Sequence, residues 1–176
     1  MSRIPPLEYP AAGPEMRREY DRQTAAHGRV TNMKRTLGHS PTAFRALMEW
    51  YALRDEVVPF LGERRTNLFA HVISAQTDCL ICSTFFRRIL IEAGDNPDAP
   101  ELDAFDQAVL EYGRQLARDP NQVSDALFAR LARHLGHEQL VTLTAFGALM
   151  VATNVFNNAL QVELDDYLIP YRKEQD

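Results

Sequence analysis

A chain of 176 residues, 45% apolar and 24% charged, is long enough to bury one sizeable core and reads as a single globular domain. Its formal net charge of −5 withholds the sequence-independent attraction to phosphate backbones, so nucleic acid is not an expected partner. The N-terminal Met1-Ser2-Arg3-Ile4-Pro5-Pro6 has no apolar signal core. The most apolar stretch, Leu140 to Ala152, is shorter than the ~20 residues of a membrane-spanning helix, so a cytoplasmic protein with no membrane partner is expected.

In chain order, Pro5, Pro6, Pro10 and Pro14 mark residues 1–14 as an extended arm, because proline lacks the donor that a helix or inner strand needs. Residues 15–176 then form one all-α domain. No run alternates apolar and polar with period 2, and no Asn-Gly or Asp-Gly hairpin turn occurs. Ser40-Pro41 supplies an N-cap and a first-turn proline, and Phe44, Leu47, Met48 and Tyr51 follow on one helical face. Pro59 ends that element or starts the next. A continuous helical pattern is expected from Glu63 to Ala93, stopped at Gly94. Beyond the polar loop Asp95 to Pro100, Phe105, Ala108, Val109 and Tyr112 mark an amphipathic helix closed by Asp119-Pro120. Ser124 caps a short helix that ends at Gly136. The region from His137 to about Leu168 carries almost no charge between Leu140 and Phe156. A helix apolar over most of its circumference must be covered on most sides, by the core or by another subunit, so a homo-oligomer is expected. The short pairs Arg17-Arg18, Arg64-Arg65 and Arg87-Arg88 read as solvated helix faces.

The sharp feature is Cys79-Leu80-Ile81-Cys82, which holds both cysteines of the chain. In a reducing compartment such a pair points to redox or metal chemistry rather than a structural bridge. At i and i+3 both thiols lie on one helix face, and near a helix N-terminus the free amides favour thiolate. A thiolate there can attack a peroxide oxygen or a sulfur, and its neighbour can resolve the product to a disulfide. The bland alternative is two small core residues at helical spacing. Zinc shared with His134 and His137 of an HxxH is disfavoured by the spacing between the pairs, so no metal and no organic cofactor is expected.

His71 lies eight residues before Cys79, ~12 Å away on a straight helix, and is either a packed histidine or a proton acceptor. Asp78 can cap a helix that starts at the first cysteine. Asn154, Asn157 and Asn158 interrupt the apolar last helix and call for buried partners.

Taken together, several segments resemble the carboxymuconolactone decarboxylase family, in its CxxC-containing alkylhydroperoxidase D-like branch. They are Gly28 to Asn32 with His39-Ser40-Pro41, the Arg64–Cys82 segment, Ser124-Asp125 with Leu127, and Asn154 to Asn158. The resemblance spans roughly residues 15 to 168. It implies an all-α bundle assembled as a trimer or hexamer. It also implies a thiol-dependent peroxidase or disulfide oxidoreductase of antioxidant type, acting on a hydroperoxide or disulfide and recycled by a protein dithiol reductant. In the implied mechanism a glutamate, the first cysteine and a histidine relay a proton and activate the second cysteine. Cys82 is then the peroxidatic sulfur and Cys79 the resolving one. The chain departs from the pattern at both acid–base positions, which are Asn67 and Phe86 here. His71, one turn closer to the cysteines than position 67, or Glu63, one turn further from them, would be the substitute. A non-catalytic scaffold or redox sensor, and a decarboxylase-like enzyme, are the competing readings.

Overall fold

The structure, a computed structural model, describes residues 2–173. Eight helices carry it: α1 (Pro14–His27), α2 (Asn32–Leu37), α3 (Pro41–Leu61), α4 (Glu63–Gln76), α5 (Leu80–Glu92), α6 (Ala104–Arg118), α7 (Asp125–Ala132) and α8 (His137–Leu160). Short 3₁₀ turns lie at Tyr9–Ala11, Pro120–Gln122 and Asp166–Tyr171, and no strand occurs among the described residues. The fold is therefore all-α, with an arm that is extended up to its 3₁₀ turn. Residue 1 of the expected arm and residues 174–176 of the expected domain lie outside the described residues.

Local chemistry sets most helix starts. Ser40 Oγ accepts from the Ala43 amide at 3.3 Å and Ser124 Oγ from the Leu127 amide at 3.2 Å. Asp103 and Asp106 form a reciprocal capping box at the head of α6. α3 runs through Pro59 and stops at Gly62, whose φ of +83° suits glycine. α1 and α2 were not marked by periodicity because they are mostly polar. α1 buries only Met16 and Tyr20.

α4 sits at the centre and packs against α3, α5, α6 and α8. Phe69 on α4 is fully buried between two close-approaching backbones. A Cβ on Gly113 of α6 would lie 2.9 Å from its ring, and one on Gly147 of α8 would lie 3.0 Å from it. These glycines let three helices close on one aromatic side chain.

Three expectations need correction. The Glu63–Ala93 helix is broken at residues 77–79, where Asp78 takes φ +51°. Thr77 Oγ1 donates to the Ile73 and Ser74 carbonyls, and the Cys79 amide returns to Ser74 O at 2.9 Å, so the carbonyls of the last turn are used up locally. Asp78 is thus the left-handed hinge, and Cys79 itself occupies the N-cap position of α5. The last helix ends at Leu160 rather than near Leu168. By length and composition α8 could cross a membrane, but it runs between α3, α4, α6 and α7 with one face in the core. Finally, two of the arginine pairs are not merely solvated. Arg64 and Arg65 share the buried carboxylate of Asp106, and Arg87 pairs with Asp98 at 2.7 Å.

Candidate dithiol site

Both cysteines are free and buried at the start of α5, with Cys79 1% and Cys82 7% exposed. The three asparagines of α8 lie on one face above them and meet this region one by one. Asn154 Nδ2 donates to Thr77 Oγ1 at 2.9 Å, and Asn158 Nδ2 donates to Thr77 O at 2.7 Å. These two bonds clamp the break that places Cys79 at a helix terminus. Asn157 Nδ2 lies 3.3 Å from Cys82 Sγ, 3.9 Å from Cys79 Sγ and 3.4 Å from Met33 Sδ. One amide therefore offers its hydrogens to three sulfurs. In the sequence these asparagines called only for buried partners, and nothing there tied Asn157 to the thiols.

The two thiols share one easily lost proton. A hydrogen bond from Cys82 is the largest influence on Cys79 and brings it down to about 7, against the opposing effect of burial. The Asn157 amide and the backbone N–H groups of Cys82 and Ile81 add to this, although they fall short of a formed side-chain cap. Cys82 is held well above the ordinary thiol range, by the Cys79 hydrogen bond first and then by burial. The pair is therefore set up for Cys79 to ionise before Cys82, near neutral pH.

Of the two sulfurs, Cys82 lies in a cavity wall. Cys82 lines an apolar cavity of about 80 Å³ with Met48, Trp50, Phe85, Phe86 and Met150. A wider vestibule of about 620 Å³ adjoins it through shared walls at Trp50, Tyr51, Phe85 and Phe86. The two resemblance positions sit here. Phe86 is 3% exposed and packs on Trp50 with ring centroids 6.0 Å apart. Asn67 lines the vestibule, and its buried Oδ1 has no hydrogen-bond partner among the described residues.

His71 goes elsewhere. Its Nδ1 lies 3.1 Å from Ser83 O, which fixes it as the donor and ties α4 to α5. Burial, the largest influence, lowers its pKa, so the ring is neutral at neutral pH. It lines an open cleft of about 1060 Å³ that neither sulfur reaches, and no hydrogen bond joins it to a thiol among the described residues. Glu63 is exposed and paired with Arg54. His134 stacks on Phe105 at 4.4 Å, away from the cysteines. No group of three or more His, Cys, Asp or Glu suited to a metal occurs among the described residues.

No family model and no curated protein matches the chain. Solved structures do. The alkylhydroperoxidase AhpD core protein from Ralstonia eutropha JMP134, an uncharacterized peroxidase-related protein, aligns over 99% of this chain and 98% of its own. The identity is 21% and the TM-score 0.71. The chain has the AhpD-core fold. The debrominase Bmp8 shares that fold, at 17% identity and TM-score 0.79, over 96% of this chain and 95% of its own. Bmp8 has also been solved as a cysteine-to-alanine variant in complex with 2,3,4-tribromopyrrole. A peroxidase-related protein from Silicibacter sp. TM1040 aligns over 93% of both chains at 17% identity and TM-score 0.73. Within this AhpD-core fold the dithiol occupies the break between α4 and α5, and α8 supplies its hydrogen-bond donor.

Proposed function

We propose that the chain is a thiol-dependent peroxidase of the carboxymuconolactone decarboxylase family, with Cys82 as the peroxidatic sulfur and Cys79 as its base and resolving partner. The observation that carries this is the asymmetry of the pair: Cys79 is the more acidic thiol, and Cys82 is the one that faces a cavity. Cys79 thiolate takes the Cys82 proton as Cys82 attacks the distal peroxide oxygen. The O–O bond breaks, the sulfur is oxidised to sulfenic acid, and an alkoxide leaves. The Cys79 thiol then attacks the sulfenic sulfur and expels water, forming the disulfide. A protein dithiol restores both thiols, as reducing cytoplasm would allow.

The test is hydroperoxide consumption with a dithiol reductant, followed by mass analysis of the unreduced protein. Turnover with an intramolecular Cys79–Cys82 disulfide supports the proposal. Oxidation without turnover would favour a sensor, and inert thiols a pair of core residues.

A second reading draws on the aromatic cavity and on the debrominase neighbour. The same dithiol can reduce an aryl halide, giving arene, halide and disulfide. Halide release from a bromopyrrole separates this reading from the first. We also propose a homo-oligomer, a trimer or hexamer. Val141, Ala145, Ala148, Ala152 and Val155 form an exposed stripe on α8 with the 3–4 spacing of an interhelical seam, suited to a second copy. Light scattering should report a multiple of 20.0 kDa.

A further inference from the structure

The cavity that Cys82 faces has a wall the dithiol does not use. Lys34 on α2 is only 3% exposed, and its Nζ donates to Tyr51 Oη at 2.9 Å. It forms no ion pair among the described residues, and Asp165, which lines the same cavity, acts on it from longer range. Burying an unpaired ammonium among Met48, Trp50 and Phe85 is costly, and packing alone would favour an apolar side chain. The chemistry at Cys82 has a matching need. An alkoxide expelled into an apolar cavity must be protonated, and neither Asn67 nor Phe86, at the resemblance's acid–base positions, can donate a labile proton of suitable acidity.

We propose that Lys34, hydrogen-bonded to Tyr51, is the proton donor to the leaving atom when Cys82 attacks, and that the cavity they share takes the apolar body of an organic hydroperoxide. This rests on the thiol-peroxidase reading and adds the missing acid to it. The step balances: the S–O bond forms as the O–O bond breaks, and the alkoxide takes a proton from the Lys34 ammonium, leaving alcohol and neutral amine. Resolution by Cys79 then releases water. Solvent reprotonates Lys34 through the vestibule.

Burial brings Lys34 down to about 8, so it is an acid near the pH at which the dithiol ionises. From α3, Tyr51 is pushed up to about 12 by burial, and Arg54 and Asp55 face the vestibule. His27 from α1 is lowered by burial, and Arg29 and Arg88 line the same vestibule. From the C-terminal segment, burial raises both Asp165 and Tyr167. The rate should climb as the thiolate forms, around about 7, and fall as Lys34 loses its proton, around about 8.

The test uses the full chain in single-turnover reactions with two electrophiles. tert-Butyl hydroperoxide, small enough for a cavity of about 80 Å³, has a leaving alkoxide that needs a proton; iodoacetamide releases iodide, which does not. Lys34→Met should slow the hydroperoxide reaction by about 10²–10⁴-fold, abolish the alkaline fall in rate, and leave alkylation unchanged. Lys34→Arg keeps the charge but is too weak an acid, so it should stay slow. Three results would overturn the proposal: an unchanged hydroperoxide rate in Lys34→Met, equal losses in both reactions, or full rescue by arginine. If the unmodified protein consumes no hydroperoxide, the peroxidase reading fails by itself. The same comparison, with 2-hydroxyethyl disulfide and its basic leaving thiolate in place of the hydroperoxide, then decides the role of Lys34.

Discussion

Two recesses flank the first turn of α5, and they differ in every physical respect. One is the small apolar cavity that Cys82, Trp50 and Lys34 share. The other is the wide cleft around His71, Arg87, Arg114 and Lys173, more than ten times larger and open to water. Size and charge would select the second as the place where chemistry happens. Cys82 selects the first: its sulfur lines that cavity and lies 3.3 Å from Asn157 Nδ2, whereas His71 in the other recess bonds Ser83 O. A reactive group needs a dry pocket and a donor more than it needs room.

Substitutions at the dithiol test that contrast most severely. Cys82→Ser should abolish hydroperoxide reduction, whereas Cys79→Ser should allow one slow oxidation and then stop, as read by mass and by reductant consumption. Equal loss in both variants would remove the assignment of the cavity-facing sulfur as the nucleophile.

The stability of the small recess offers a second test. The folded-state pKa of Lys34, about 8, lies below its ordinary value of 10.5. Between these values the unfolded chain binds more protons, so this group makes stability rise with pH across the window. At neutral pH the charged lysine therefore costs about 1–3 kcal/mol. Lys34→Met should stabilise the protein by about that amount, and the gain should shrink towards pH 10.5. Urea unfolding at neutral and alkaline pH measures it. A destabilised variant would mean that the Tyr51 hydrogen bond outweighs desolvation.

Asn157→Leu should slow alkylation of the dithiol at neutral pH by about 10–100-fold, because a hydrogen bond to a charged group is worth about 1.5–3 kcal/mol. An unchanged rate would assign the thiolate to the Cys82 hydrogen bond and the backbone N–H groups without Asn157. The smallest effect is expected in the wide cleft. His71→Gln should leave alkylation close to that of the unmodified protein, since the ring bonds Ser83 O and no hydrogen bond joins it to either sulfur among the described residues. A loss matching that of Asn157→Leu would reconnect the two recesses through α5.

The sequence made the fold readable wherever local chemistry and packing agreed. Ser40-Pro41, Ser124 and the 105–112 apolar face each announced a helix that the structure contains. α1 was hidden because only two of its side chains face the core. The break before Cys79 was hidden for another reason: its causes, Thr77 bonding backward and Asn158 holding Thr77 O, are a turn choice and a contact across 81 positions. The cysteines were visible as a motif. Lys34 was not, since in Asn32-Met33-Lys34-Arg35 it reads as one more solvated charge. Burial of a lysine is a property of what packs over it, and Trp50, Phe85 and Tyr167 arrive from α3, α5 and the C-terminal segment.

Trp50 is the single tryptophan of the chain, and it stands in the wall of the cavity that Cys82 faces. Its indole Nε1 has no hydrogen-bond partner among the described residues, and its ring meets Tyr51 edge-on at 5.0 Å. Thiolates and disulfides quench indole emission to different extents at short range. The molecule therefore carries a built-in optical reporter, and the colour and intensity of its own fluorescence should follow the oxidation state of the dithiol without any added label.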